Sequence, residues 1–349
     1  MLWAVSELKD KDLVKKARLA YVFPGQGSQA VGMGLDLYRK YSSARDVFDE
    51  VDDALGFSLS SLCFEGPEGE LTQTINVQPA VLTVSVACLK AAEEISGSSL
   101  PFPDVVAGHS LGEYTALVVA GVLNLSEAVR LVRERGRLMH EAGSVSPGGM
   151  VAVLGLDEEA VMEVCLSTGT EISNINCPGQ IVVSGAEEKL TKFRRLAEEK
   201  GARRLIPLKV SGAFHSQLMQ PACDGLKNAI PEFSFHEPLV PVVANVTARM
   251  LLDVQSIKQE LVDQVIRCVR WQQCVENMIA GGVTTFFEIG HGEVLAGLIK
   301  RINPAVQVIN IGDVEIDKQV DKLWIEHRRE WMRNTVEKTI QSEKSSQKE

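Results

Sequence analysis

A short apolar run that ends in a glycine-framed serine constrains the fold of this chain most. Val105-Val106-Ala107 precedes Gly108-His109-Ser110-Leu111-Gly112, and a helical pattern follows. A Gly-x-Ser-x-Gly motif on a sharp strand-to-helix turn exposes the serine hydroxyl, and the glycines permit the strained backbone. The N–H of Leu111 would then lie at a helix N-terminus, where unpaired N–H groups favour a developing oxyanion. The motif alone is equally compatible with an ordinary Gly-Ser turn.

Strand and helix patterns alternate around this turn at the spacing of α/β folds. A strand is predicted at 19–23, helices at 34–40, 43–55 and 78–95, and later strands at 239–244 and 284–289. Between residues 149 and 209 the order becomes βαββαβ, which is typical of a ferredoxin-like subdomain. The predicted division is an N-terminal extension (1–18), a discontinuous large α/β domain (19–148 and 210–312), the small subdomain (149–209) and a charged C-terminal helix or tail (313–349).

The composition favours a globular intracellular protein. With 349 residues and 45% hydrophobic content the chain can bury a large core, and its length suggests about two domains. Seven cysteines without a C-x-x-C pair argue against a disulfide framework or a metal site such as zinc, and favour reduced thiols in the cytoplasm. Charges interrupt residues 1–20, and no segment approaches about 18 uninterrupted apolar residues, so neither secretion nor membrane spanning is expected. The net charge of −10 argues against nucleic acid as a partner.

The glycine-rich turn after the first predicted strand allows two functional interpretations. Gly25-Gln26-Gly27-Ser28-Gln29-Ala30 matches the G-x-G-x-x-A fingerprint of dinucleotide-binding folds. That fingerprint requires an acidic residue about 20 positions later, at the end of a second strand, whereas Asp46, Asp49 and Glu50 lie in a helical pattern. Alternatively, the N–H of Gln26 completes an oxyanion hole with that of Leu111. The segment alone is also compatible with a plain tight turn.

A serine nucleophile requires a base, and the chain has six histidines. His215 is the leading candidate, because it follows a strand end with small residues where the chain re-enters the large domain, and sites in α/β folds lie at strand ends. His291, in a Gly-His-Gly turn, is the second candidate. His109 is expected to point away from the site, since adjacent residues project to opposite sides. Without the serine, a structural loop histidine would be the simpler interpretation of His215.

Helical periodicity singles out Arg135. In a helix that Ser126 is predicted to open as N-cap, Arg135 falls within an apolar face. That face comprises Ala128, Leu131, Val132, Leu138, Met139 and Ala142. A buried guanidinium is costly without an anion, so Arg135 is expected to meet a carboxylate of the chain or of a bound ligand. The second option implies an acyl substrate that carries a free carboxylate.

The ordered set of motifs resembles the malonyl-CoA:acyl-carrier-protein transacylase family. The resemblance covers about residues 19–310. It rests on Phe23-Pro24-Gly25-Gln26-Gly27-Ser28-Gln29, Gly108-His109-Ser110-Leu111-Gly112-Glu113-Tyr114, Arg135-Gly136, Gly212-Ala213-Phe214-His215-Ser216, Asn245-Val246-Thr247 and Glu288-Ile289-Gly290. It implies an α/β-hydrolase-like domain with a ferredoxin-like insertion, in agreement with the predicted break near residue 149.

The resemblance also implies roles for individual residues. Ser110 matches the nucleophile, His215 the base, Arg135 the ligand of the malonyl carboxylate, and Gln26 and Leu111 the backbone donors to the oxyanion. A backbone carbonyl orients the histidine in this family, and the carbonyl of Arg270 is predicted to do so here. The chain departs from the family at Arg267-Cys268, where Asn-Pro is common. Phe214 resembles a malonyl-selective pattern of polyketide acyltransferases and is expected to disfavour methylmalonyl groups.

The implied activity is ping-pong transfer of a malonyl group from malonyl-CoA to the phosphopantetheine thiol of acyl carrier protein in fatty acid synthesis. The implied enzyme is a cytoplasmic monomer without a cofactor, since coenzyme A enters as the substrate thioester. Alternatives are a polyketide acyltransferase, a serine hydrolase or thioesterase, which would gain nothing from Arg135, and a non-catalytic interaction protein. Acidic carrier proteins suggest a basic docking surface, although a solvated helix face explains the same residues. The candidate residues are Lys189, Lys192, Arg194, Arg195, Arg203 and Arg204.

Overall fold

A computed structural model describes residues 18–97 and 100–320 of the chain. The predicted N-terminal extension therefore lies outside the described residues except for Arg18, and the predicted charged tail lies outside them from residue 321 onward. The part of that tail which the structure describes packs onto the protein, because Ile316 and Val320 are buried in the largest hydrophobic core.

Strands and helices alternate along the described residues. The strands are β1 (Arg18–Phe23), β2 (Val105–Gly108), β3 (Gly149–Leu154), β4 (Glu171–Cys177), β5 (Gln180–Gly185), β6 (Arg204–Pro207), β7 (Val242–Val243), β8 (Met250–Leu251), β9 (Val283–Ile289) and β10 (Gln307–Ile311). The helices are α1 (Leu35–Lys40), α2 (Ser42–Leu55), α3 (Leu59–Glu65), α4 (Glu68–Leu71), α5 (Thr74–Ser96), α6 (Gly112–Val119), α7 (Leu125–Val145), α8 (Glu158–Thr168), α9 (Glu187–Glu199), α10 (Gln220–Ala229), α11 (Val254–Asp263), α12 (Trp271–Ala280) and α13 (Val294–Ile302). The protein is therefore a mixed α/β protein.

Six strands form the larger sheet in the order β10-β9-β1-β2-β7-β8, and every neighbouring pair except β7 and β8 is parallel. Tyr21 and Phe23 of β1 pack into the core that includes α2, α5 and α7. Ala20 and Val22 point to the opposite face and pack with α12 and α13. Because helices cover both faces, the central strands are continuous apolar runs without polar alternation.

The register between β1 and β2 positions two loops side by side. Phe23 lies opposite Gly108, so both strands end at the same edge of the sheet. The N–H of His109 donates to the Phe23 carbonyl (3.0 Å), which continues the pairing past the strand ends. The turn that contains Gln26 and the turn that contains Ser110 therefore leave the sheet next to each other.

The segment from β3 to β6 folds into a second sheet, antiparallel throughout, in the order β4-β5-β3-β6. Helices α8 and α9 pack against one face of it through Val161 and Phe193. Residues of the opposite face, including Met150 and Val182, join the core of the larger part. The second sheet is thus packed firmly beside the first.

Two elements differ from their sequence predictions for identifiable reasons. Helix α7 begins after Asn124, whose side chain accepts from the N–H of Glu127 (2.8 Å), so Asn124 and not Ser126 is the N-cap. The strand predicted at 239–244 pairs only at Val242–Val243. Pro241 has no N–H to donate, although its carbonyl accepts from Val106, so the regular ladder starts after it.

Helix α5 is the long central helix of the larger core. Most of its residues are buried on every side. By length and composition it is the one helix of the described ranges that could cross a membrane, but 83% of its apolar window is buried inside the protein. Its apolar surface is therefore satisfied by packing within the fold.

Candidate active site

The turn between β2 and α6 holds Ser110 in a left-handed conformation, with φ at 50°. Its flanking glycines are required sterically. A Cβ on Gly108 would lie 1.8 Å from the carbonyl carbon of Gly112, and one on Gly112 would lie 2.1 Å from the Phe23 oxygen. Only glycine fits at these two positions, so the close approach of α6 to the sheet and the projection of the half-buried serine hydroxyl from the turn depend on them.

His215 faces the serine from the loop that follows the second sheet. The Ser110 hydroxyl lies 2.8 Å from His215 Nε2. His215 Nδ1 lies 2.6 Å from the Gln264 carbonyl oxygen, which can only accept, so Nδ1 carries the proton and Nε2 is free to accept from the hydroxyl. The arrangement is that of a serine nucleophile with an oriented base.

The residue that orients His215 corrects the sequence prediction. Gln264 supplies the carbonyl, and Arg270 does not. The Arg270 carbonyl accepts from the N–H of Cys274 (2.9 Å) and thereby forms the first hydrogen bond of α12. A carbonyl leaves no side-chain signature in the sequence, and the turn between α11 and α12 could not be placed from residue types alone.

The surroundings of His215 keep it neutral. The side chain is only 4% exposed. Burial, assisted by the positive charge of Arg135, lowers the pKa of His215 to about 3, although the bond to the Gln264 carbonyl acts in the opposite direction. At neutral pH the imidazole is therefore ready to accept a proton.

Arg135 projects from α7 into the same site and is 1% exposed. Its guanidinium donates to Gln78 Oε1 (2.6 Å), to Gln264 Oε1 (2.8 Å) and to the Ser110 hydroxyl oxygen (3.2 Å). The Tyr114 ring lies beneath it, 5.4 Å from the guanidinium carbon to the ring centroid. A buried cation thus directly adjoins the Ser110 hydroxyl, the candidate nucleophile.

The partners of Arg135 within the described residues are uncharged. Both amide oxygens and the hydroxyl are neutral acceptors, and Nε has no partner among the described residues. The sequence predicts a carboxylate partner for Arg135, either from the chain or from a ligand. Among the described residues no carboxylate of the chain is hydrogen-bonded to Arg135. A buried guanidinium bound only by neutral groups is well suited to a carboxylate ligand.

Asn245 braces the serine from behind. Its Oδ1 accepts from the Ser110 N–H (2.7 Å), and its Nδ2 donates to the Gly108 carbonyl (2.7 Å). The Gln264 side-chain amide donates to the Ser110 carbonyl (3.0 Å). Asn245 belongs to one of the motifs of the resemblance, which implies no role for it, and the sequence does not predict Gln78 and Gln264. Among these three, only the position of Asn245 after a strand carried a usable signal.

Two buried glutamates lie beneath Asn245. Glu113 Oε2 accepts from the Asn245 N–H (2.9 Å), and Glu260 Oε1 accepts from the next N–H, that of Val246 (2.7 Å). Burial and then the charge of Glu260 raise the pKa of Glu113 well above its usual range, and burial raises that of Glu260 to about 7. The two carboxyl groups bind successive backbone N–H groups of one loop.

The backbone donors proposed for an oxyanion lie at the two adjacent turns. Within the described ranges, the N–H groups of Gln26 and Leu111 have no hydrogen-bond acceptor. A Cβ on Gly25 would lie 2.4 Å from the His109 carbonyl oxygen, so the Gln26 turn packs directly against the Ser110 turn. As the sequence predicts, the acidic residues at the spacing that a dinucleotide site requires lie on a helix, α2, and not at the end of a strand.

The remaining candidate residues lie outside this cluster. His109 points away from Ser110, with Nε2 2.8 Å from Asn176 Oδ1, and His291 pairs with Asp313 (2.7 Å). Phe214 is buried, and its carbonyl accepts from the Ser184 hydroxyl (2.7 Å). The candidate basic residues are exposed except Arg194, which is partly buried and pairs with Glu187 (2.9 Å). In the described ranges no group of three or more His, Cys, Asp or Glu side chains is arranged to hold a metal ion.

Comparisons with known proteins show which family the chain resembles over most of its length. Residues 20–320 match the model of the acyl transferase domain family. A malonyl CoA-acyl carrier protein transacylase of Bacillus subtilis is 46% identical over 304 residues, which span 86% of this chain and 95% of the relative. An acyl-carrier-protein S-malonyltransferase structure from Bartonella henselae aligns with a TM-score of 0.84 at 43% identity, covering 88% of this chain and 99% of that one. A malonyl-transacylase solved in complex with its type II PKS acyl-carrier protein aligns with a TM-score of 0.83 at 38% identity, covering 87% and 99%.

Proposed function

The chain belongs to the acyl transferase domain family, and from that premise we propose that it transfers the malonyl group of malonyl-CoA to the phosphopantetheine thiol of an acyl carrier protein, for fatty acid synthesis. The observation that carries this proposal is the contact of one hydroxyl with two groups. Ser110 Oγ lies 2.8 Å from the base His215 and 3.2 Å from the buried guanidinium of Arg135. An acyl group bound to this oxygen with a carboxylate two bonds beyond its carbonyl carbon would have a cation beside it.

The first half-reaction forms a malonyl ester on Ser110. His215 Nε2 takes the hydroxyl proton as Oγ attacks the thioester carbonyl. The free N–H groups of Gln26 and Leu111 are suited to stabilise the negative charge that develops on the carbonyl oxygen. Collapse of the tetrahedral intermediate breaks the C–S bond, and His215 gives its proton to the departing sulfur, so that coenzyme A leaves as the thiol.

The second half-reaction reverses these steps with a different thiol. His215 takes the proton of the phosphopantetheine thiol, the thiolate attacks the malonyl ester, and Ser110 Oγ leaves with that proton. Because His215 is neutral at physiological pH, it can act as base at the start of each half-reaction. No step requires a cofactor or metal, and coenzyme A enters only as part of the substrate.

Specificity for a carboxylated acyl group follows from Arg135. An acetyl group would leave the guanidinium buried without an anion, whereas malonyl supplies one. The same feature argues against a serine hydrolase or thioesterase as the alternative function. Phe214 would favour malonyl over methylmalonyl, although one methyl group changes binding by only about 1–3 kcal/mol.

The finer architecture belongs to the same proposal. The parallel sheet with its glycine-framed serine turn supports an α/β-hydrolase-like domain of residues 19–148 and 210–312, and the antiparallel β4-β5-β3-β6 order supports a ferredoxin-like subdomain of 149–209. A functional monomer is part of the same proposal. Free cysteines and a net charge of −10 favour a cytoplasmic protein that binds neither membranes nor nucleic acid.

The basic residues around α9 are the candidate docking surface for the acidic carrier.

Intact-mass spectrometry tests the proposed function directly. The protein is mixed with malonyl-CoA or acetyl-CoA, and holo carrier protein is then added. We expect a malonyl adduct on the unaltered chain, and this adduct should move to the carrier. The adduct should be absent in Ser110→Ala and present in the control Ser144→Ala, which changes an exposed serine of α7. An adduct lost to water at the same rate with or without carrier would favour a hydrolase. Carriers from fatty acid and polyketide systems, offered in competition, distinguish the polyketide alternative raised by the type II PKS complex.

A further inference from the structure

The strained conformation of Ser110 requires something to hold it. Ser110 is not glycine, yet its φ is 50°, a region that residues with a side chain rarely adopt. Such a conformation persists only where the surroundings over-determine it. The two glycines at its sides allow the close approach of α6 to the sheet, but they do not fix the orientation of the Ser110 peptide groups.

Asn245 contacts the turn at two backbone groups, one of Ser110 and one of Gly108. Its Oδ1 accepts from the Ser110 N–H and its Nδ2 donates to the Gly108 carbonyl, each at 2.7 Å. The one side-chain amide therefore closes a ring across Gly108, His109 and Ser110. Substitution by any residue without both a donor and an acceptor leaves at least one of these two backbone groups unpaired.

Asn245 is itself held in place by its main chain. Its N–H donates to the buried Glu113 carboxyl group (2.9 Å), and its carbonyl accepts from the Arg270 N–H (2.8 Å). Asn245 is fully buried, so both backbone groups and both side-chain polar atoms have partners. Glu113 lies on the first turn of α6, which begins at Gly112, two residues after the serine, so these contacts start and end on the same turn.

We infer that Asn245, anchored by Glu113, is a positioning residue that holds the Ser110 hydroxyl toward His215. This inference rests on the proposed function, because it concerns the same nucleophile. Among the described residues Asn245 forms no hydrogen bond to Arg135 or to the His215 ring, and it meets Gln264, which contacts both, only through a long 3.5 Å contact of its Oδ1. Its loss should therefore affect the alignment of Ser110 far more than recognition of the malonyl carboxylate. It acts through Ser110 and takes no part in proton transfer.

The test compares Asn245→Ala with Asn277→Ala in the full chain. Asn277 is a matched control, because its side chain ties the same loop by donating to the Ala248 carbonyl (2.9 Å) without touching the site. The rate of malonyl-enzyme formation is measured against malonyl-CoA concentration. In parallel, Ser110 is titrated with a small neutral fluorophosphonate, which reports the reactivity of the hydroxyl without using Arg135.

For Asn245→Ala we expect the maximal acylation rate and the fluorophosphonate rate to fall together, by about 10- to 100-fold, because small misplacements of a reacting group have effects of this size. The KM for malonyl-CoA should stay within about two-fold. Asn277→Ala should leave both rates near those of the unaltered chain. If Asn245→Ala does not fold, Asn245→Asp carries the same comparison, since it keeps the acceptor for Ser110 and replaces the amide donor to Gly108 with a carboxyl oxygen.

Several outcomes overturn the inference. Equal losses in Asn245→Ala and Asn277→Ala would show a general effect on the loop, and an unchanged fluorophosphonate rate would show that Ser110 stays aligned without Asn245. A rise in KM at constant maximal rate would assign Asn245 to substrate binding instead. Failure of the proposed function is distinguished separately, because the unaltered chain would then form no malonyl adduct at all.

Discussion

Arg135→Met should remove the preference of the site for malonyl-CoA over acetyl-CoA. Methionine keeps an unbranched buried side chain against Tyr114 but removes the cation that adjoins Ser110. A malonyl carboxylate would lose two charge-assisted hydrogen bonds, each of which contributes about 1.5–3 kcal/mol. The combined loss of about 3–6 kcal/mol corresponds to a fall in kcat/KM for malonyl-CoA of roughly 10²- to 10⁴-fold.

Acetyl-CoA should respond in the opposite sense. In the unaltered chain it leaves a buried guanidinium without an anion, and Arg135→Met removes that penalty, so its kcat/KM should stay constant or rise. Stability should change little. Gln78 and Gln264 each lose a donor, at a cost of about 1–3 kcal/mol per unpaired acceptor, while removal of a buried charge offsets this.

The assay measures competition between malonyl-CoA and acetyl-CoA for the enzyme by intact mass after rapid quenching. Arg133→Met is the matched control, because Arg133 lies on the same helix but is partly exposed and stacks on Phe57, at 4.2 Å. A fall of less than about 10-fold for malonyl-CoA in Arg135→Met would refute the assigned role. Equal losses for both thioesters would likewise show that Arg135 supports the site without selecting the acyl group.

Two further predictions concern the base and the turn. The pKa of His215 lies near 3 in the folded protein and near 6.5 in the unfolded chain, so between these values only the unfolded chain binds the proton. The contribution of His215 to the stability of the fold is therefore complete above about pH 6.5 and is lost as the pH falls toward 3. Ser110 acylation should therefore stay nearly constant from pH 8 to about 5.5, and a decline centred near pH 6.5 in a pH-rate profile would contradict this. Gly112→Ala places a Cβ 2.1 Å from the Phe23 oxygen and should lower the free energy of unfolding, measured in urea, by at least about 1–3 kcal/mol. The control is Gly297→Ala on α13, where the added Cβ meets no neighbour, and it should be neutral or stabilising. Equal stabilities of the two variants would count against the steric argument.

Much of the site was predictable because its chemistry depends on residue type. Ser110, His215 and Arg135 were identified from a glycine-framed turn, a strand end and an interrupted apolar face, and the structure brings all three into contact. The family resemblance inferred from the same motifs is confirmed by the match over residues 20–320. Each of these signals is a local pattern that the chain displays in sequence.

The parts that were missed depend on geometry instead. The carbonyl that orients His215 could belong to any residue of the turn after α11, and the structure assigns it to Gln264 because the Arg270 carbonyl is used by α12. Gln78 lies on a buried helix about 60 positions before Arg135, and an amide there is indistinguishable by pattern from any other core residue. Backbone acceptors and neutral partners of a buried charge thus require the fold to be known.

The burial of α5 has a consequence for synthesis of the protein. The helix ends at Ser96, whereas α7, which covers much of it, is complete only at Val145, about 50 residues later. At translation rates of about 5–20 residues per second, the nascent helix waits roughly 2–10 s for this partner. During that interval the apolar side that α7 later covers lacks this partner, even though α2 precedes α5 in the chain and can already pack against its other side. The helix at the centre of the finished core is therefore incompletely covered while the chain is still being made.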